Sequence, residues 1–226
     1  MLVKVGIIDS GIGPGLDADV GAGVTMRLAE GGQVQCLAGD RTDSLGHGTA
    51  VASLILARAP RCSLLSAQVF YGARPAAAQV IVAAIEWCVA EGARIINLSL
   101  GLREDRRALK ESCLAAISQG VLLVASHPAR GEATYPAIYP GVLAVSGDIR
   151  CGEGDCASIA HDRLFGASPL PPNGFSGGGA SYAAARMTGR AAAFFDACPA
   201  ATVADFKNHL QTIARFHGRE HRQAVS

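Results

Sequence analysis

Val3-Lys4-Val5-Gly6-Ile7-Ile8-Asp9 reads as a short apolar strand that ends on a carboxylate and runs into Ser10-Gly11-Ile12-Gly13, a turn with permissive glycines. Runs of the same kind recur at Ser63 to Val69, Ala93 to Leu98, Gly120 to Ala125 and Gly141 to Ser146. Between them, Gly48 to Arg58, Ala76 to Ala90 and Arg106 to Gln119 space their apolar residues as helices do. Strands this uniformly hydrophobic have no polar face to turn to water. The alternation therefore predicts an α/β fold in which a mainly parallel sheet is covered by helices on both faces, through right-handed crossovers. Ala180 to Phe195 and Ala201 to Phe216 predict two further helices. The stretch 151–179, rich in Gly, Pro, Ser and Ala, predicts loops with room for short hairpin strands.

Half of the 226 residues are hydrophobic, enough for one large core, which predicts a single domain over 1–216 and a frayed polar tail over 217–226. Only 17% are charged and the formal net charge is +1, so no overall field gathers nucleic acid or an anionic membrane. No apolar run reaches the roughly 18 residues of a membrane span, and the start lacks the pattern of a secretory signal, so the expected location is cytoplasmic. Seven cysteines, an odd number set mostly among apolar neighbours, fit buried free thiols in a reducing compartment. Cys151 and Cys156 form the one close pair; they read as loop thiols, with a local disulfide or half a metal site as alternatives. His217 and His221 read as solvated, and no cofactor or metal is expected.

Ligands of open parallel sheets gather beyond the carboxyl ends of the strands, which singles out polar residues there. Asp9 is one, although a lone aspartate at a strand end is ordinarily a cap or turn residue. His47, between Gly46 and Gly48, opens an apolar helix and can face a cleft or serve structure. Ser181 begins a helix after Gly177-Gly178-Gly179; such a loop can also cradle a phosphate, but neither the lysine nor the preceding strand of that motif is present.

Together these motifs resemble those of the subtilases. Val5 to Gly11 is similar to the family's aspartate motif, His47 to Ser53 to its histidine motif and Gly179 to Ala184 to its serine motif, in the order Asp, His, Ser. Ile95 to Gly101 resembles the substrate-binding strand, and Tyr135 to Val145 the Tyr-Pro segment. The resemblance implies a subtilisin-like three-layer sandwich and a serine endopeptidase in which Ser181 attacks, His47 moves its proton and Asp9 holds the imidazole. It implies peptide binding along Ser99, Leu100 and Gly101, and it places His127 where the oxyanion-hole asparagine is expected. Ala50 and Ala180 depart from the family pattern at positions that carry no proton transfer, and Ala184-Ala185-Arg186 replaces a proline the family often has, a departure in helix geometry more than in chemistry. The loop 128–134 is expected to border the pocket for the residue before the cut bond, with Arg130 or Glu132 setting its charge preference or merely solvated.

No propeptide or calcium loop is recognisable, which implies an intracellular enzyme that removes leaders from ribosomally made precursor peptides, with no nucleic-acid or membrane partner. Two alternatives stand beside it. One is a peptide macrocyclase, for which no inserted cap is visible; the other is a catalytically weak peptide-binding module that keeps the Ser99-Leu100-Gly101 edge.

Overall fold

The computed structural model describes residues 2–38, 42–72 and 76–220. Its strands are β1 (Lys4–Asp9), β2 (Val20–Leu28), β3 (Val34–Ala38), β4 (Ser63–Gln68), β5 (Ile95–Leu98), β6 (Leu122–Ser126), β7 (Leu143–Gly147), β8 (Ala157–Ala160), β9 (Leu164–Ala167) and β10 (Phe216–His217). Its helices are α1 (His47–Arg58), α2 (Ala78–Ala90), α3 (Arg107–Ser118), α4 (Ala180–Ala197) and α5 (Val203–Ile213). One sheet runs β10-β8-β9-β7-β6-β5-β1-β4-β2-β3. Its central pairs are parallel, and β2 with β3 and β8 with β9 are antiparallel.

Strand alternation decides which helices cover which face. Val5 and Ile7 of β1 join one core with α1, α4 and α5, whereas Ile8 joins the other with α2 and α3. Gly6 on the second face allows close approach, since a Cβ there would lie 2.7 Å from Cys88 Sγ of α2. β1 lies between β4 and β5, so the chain winds outward from it in both directions and its carboxyl end is the switch point where parallel sheets bind ligands.

Two features depart from the sequence expectations, the β2–β3 hairpin and the pairing of the tail, and one meets them. β2 and β3 form a hairpin where no strand is expected: β2 carries Gly21, Gly23 and Arg27, and β3 is largely exposed, so neither shows the continuous apolar run of a buried strand. The expected room for hairpin strands in 151–179 is taken up by β8 and β9. The tail is paired further than its polarity suggests, because His217 lies opposite Ser158, Gly218 N–H donates to the Ser158 carbonyl, and Arg150 donates to the Gly218 carbonyl. His221 lies outside the described residues. All seven cysteines are free; five are buried, Cys151 and Cys156 among them, while Cys36 and Cys198 are exposed. Among the described residues, no helix is long and apolar enough to cross a membrane.

Candidate active site

Asp9 closes β1 almost wholly out of water, at 1% exposure. Its Oδ1 accepts from the Ser10 backbone N–H at 2.8 Å and lies 2.7 Å from Nδ1 of His47, the first residue of α1. A carboxylate only accepts, so Nδ1 carries the proton, and Nε2 of the neutral ring is left as a base.

Two ties bring the end of β1 and the start of α1 together. Gly48 N–H donates to Ser10 Oγ, and Gly13 N–H donates to Thr49 Oγ1. Position 48 has to be glycine, because a Cβ there would meet the Gly11 carbonyl oxygen at 2.1 Å. The carboxylate of Asp43 completes the junction by accepting from the backbone N–H groups of Leu45, Gly46 and Thr49 and from the hydroxyls of Ser10 and Thr49. It thereby caps a helix whose own N-cap, Gly46, has no side chain to offer. The signal for Asp43 was an acidic residue four positions before His47, just ahead of a helix start. Asp43→Ala is expected to cost about 2 kcal/mol of stability, the upper range for losing a cap, readable by urea denaturation at neutral pH. An unchanged midpoint would show that these bonds are replaced by water at no loss.

Ser181 lies in the first turn of α4 and is half-buried. The next residue, Tyr182, stacks on the His47 ring with centroids 5.7 Å apart and planes 20° from parallel, which sets the serine turn against the imidazole. The phenol is buried and its hydroxyl donates to the Ser176 carbonyl, so the stack is held from the loop side. Gly179, the N-cap, has φ 143° and provides no side-chain cap, leaving the first-turn N–H groups and the positive end of the helix to an incoming anion.

The remaining expected residues lie along the same sheet edge. Ile8 pairs with Leu98 and Leu98 with Ala125, so Ser99 and Ser126 follow abreast of Asp9. Buried Asn97 locks this row to α4 by donating to Ser99 Oγ and accepting from Thr188 Oγ1. Beyond buried Leu100 and exposed Gly101, Leu102 makes an antiparallel bridge with Tyr135.

His127 is placed differently from the rest. Its N–H donates to the Val145 carbonyl, and its ring Nδ1 lies 2.8 Å from the Pro128 carbonyl. A carbonyl only accepts, so this Nδ1 too is protonated, and a neutral ring has no hydrogen on Nε2. The residue lines a cavity of about 510 Å³ with Tyr139, Asp162, Arg163 and Lys207. A larger cleft, about 750 Å³, opens beside the serine turn, lined by Pro128, Arg130, Asp148, Leu164, Gly179 and Ala180. Arg130 thus borders it and Glu132 does not line it. Asp148, buried in its wall, is held by Arg150 through Nε at 3.0 Å and Nη2 at 2.7 Å, so its charge is neutralised.

The chain resembles known proteins over most of its length. A model of the subtilase family, peptidase S8, matches residues 2–163, a span that holds Asp9 and His47 and stops short of Ser181. Subtilisin DY of Bacillus licheniformis is 29% identical over 236 residues, covering 94% of this chain and 83% of that protein. Subtilisin E of Bacillus subtilis (strain 168) is also 29% identical, over 96% of this chain and 61% of its own length. Among solved structures, the prenylagaramide maturation protease PagA superposes with a TM-score of 0.68 over 92% of this chain and 81% of its own; at 22% identity this concerns the fold alone.

Proposed function

Because this chain belongs to the subtilase family and is a subtilisin-like serine protease, we propose that it cuts peptide precursors inside the cell through an acyl-enzyme on Ser181. The observation that carries the chemistry is the 2.7 Å contact between His47 and buried Asp9, with Tyr182, next to the serine, stacked on the same ring.

Ser181 Oγ attacks the peptide carbonyl as His47 Nε2 takes the hydroxyl proton. The imidazolium is stabilised by Asp9, and the first-turn N–H groups of α4 meet the oxyanion. The imidazolium then gives its proton to the leaving amine. Water, deprotonated by the same nitrogen, hydrolyses the ester. In this reading the substrate backbone runs along Ser99, Leu100 and Gly101. His127 adds a donor to the oxyanion only as an imidazolium, since Pro128 holds its one neutral-state proton.

Support for a dedicated substrate comes from the likeness to a maturation protease, and support for a reducing compartment from the free cysteines, five of them buried. A second reading, a peptide-binding module of low turnover, is favoured by the engaged Nδ1 of His127. Precursor peptides encoded beside the gene, incubated with the protein and analysed by mass spectrometry, separate the two. Precursor processing predicts a single cut that yields leader and core. Binding without cleavage, or indiscriminate digestion of unrelated unfolded proteins, contradicts it.

A further inference from the structure

We propose that a pocket between the end of α1, the middle of α4 and the loop before β8 binds an oxyanion, a phosphate or a carboxylate, through Arg58, Arg186 and Arg190. The cavity measures about 290 Å³ and is lined by these three residues together with Glu153 and Asp155. Arg186, only 8% exposed, donates through Nη1 to the carbonyls of Ser168 and Leu170. Arg190 donates through Nη2 to the Gly154 carbonyl. These bonds leave guanidinium nitrogens of both residues uncommitted, and among the described residues none of the three arginines lies within 4.0 Å of a carboxylate.

The two acids of the lining act on these cations only from beyond ion-pair distance, Glu153 on Arg186 and Asp155 on Arg190. Asp155 is taken by Arg215 and by the Gly152 N–H, and Glu153 is exposed on the rim. The two helices approach closely here: a Cβ at Gly189 would lie 3.1 Å from Arg58 Cβ and 2.9 Å from the Ile55 carbonyl, so α1 and α4 touch where Arg58 and Arg190 emerge. Burial lowers the pKa of the Arg186 and Arg190 guanidiniums; Glu153 opposes this for Arg186, and for Arg190 Cys156 and Asp155 oppose it while the charge of Arg58 adds to it. Buried cations without an ion-pair partner are unfavourable, and guanidinium forks that line one cavity suit an oxyanion.

Thermal unfolding of the whole chain tests the site, with inorganic phosphate titrated against sodium chloride at matched ionic strength and a short glutamate-containing peptide as a second probe. The expected result is a saturable rise in Tm beyond the chloride control, weakened about tenfold in apparent affinity by Arg58→Gln and abolished by Arg190→Gln. Arg58 is exposed, so its variant keeps the test valid if Arg190→Gln does not fold. Tighter saturation by phosphate identifies a free or esterified phosphate as the ligand, and tighter saturation by the peptide identifies a carboxylate side chain. Equal Tm in both probes and chloride, or a shift that persists unchanged in Arg58→Gln, overturns the proposal.

Discussion

Ser181→Ala is expected to lower kcat on a cleavable peptide by on the order of 10⁴ to 10⁶-fold while leaving the fold intact. The hydroxyl is the atom that forms the ester, and nothing nearby replaces it: Ala180 precedes it and Tyr182, which follows, is turned onto His47. What survives should come from the α4 N-terminus and from substrate binding, since neither depends on the serine side chain. Alanine is a good helix former, and Ser181 is only half-buried, so Tm should scarcely move. A drop of tenfold or less, measured with substrate saturating, would mean that Ser181 is not the nucleophile.

Asp9→Asn is expected to reduce kcat/KM by about 10⁴-fold. Oδ1 of Asp9 accepts from both Ser10 N–H and His47 Nδ1, while Oδ2 is buried without a partner among the described residues. The amide of asparagine can keep its oxygen toward these donors, but the negative charge that stabilises the imidazolium is gone. The same charge governs the pH profile. The hydrogen bond to Asp9 raises the His47 pKa above its ordinary 6.5; burial opposes the rise, and the charges of Asp9 and Asp43 add to it. Since the base must be neutral to act, activity should rise with pH through this elevated value in the wild type and through a lower one in Asp9→Asn. For stability the sign is the reverse. The contribution of the His47 charge is fully present below the unfolded pKa near 6.5 and is lost as pH climbs through the folded pKa. A pH profile whose acid limb stays in place in Asp9→Asn would show that Asp9 does not control the base.

Much of this was legible before folding was considered, for reasons that can be named. β1, β4, β5, β6 and β7 are buried on both faces, so their sequences are mainly apolar runs, and their carboxyl ends lie at the ligand-binding edge. Asp9 ends such a run, whereas His47 and Ser181 begin helices after glycines; each is ambiguous alone, and their order and resemblance to the subtilase motifs single them out. β2 and β3 escaped because their hydrogen bonding comes from the sheet edge and not from an apolar pattern of their own. Asp43 and Tyr182 escaped for a different reason: capping five donors, or stacking on a ring from another helix, is a relation between segments with no local periodicity. Arg186 read as a departure in helix geometry. The fold shows it buried as an anchor for the 168–170 loop, because the helix turns it inward toward carbonyls that no sequence pattern marks.

His127 marks the limit of alignment by sequence alone. It lies one residue beyond β6, yet which nitrogen carries a proton depends on the Pro128 carbonyl, and that is set by the turn after the strand. The most direct measurement of the central claim is covalent labelling by a fluorophosphonate probe, followed by peptide mapping. The wild type is expected to carry the phosphonyl group on Ser181, and the Ser181→Ala variant is expected to carry none. Equal labelling of the two proteins, or a label mapped to another residue, would contradict a nucleophile activated by His47 and Asp9.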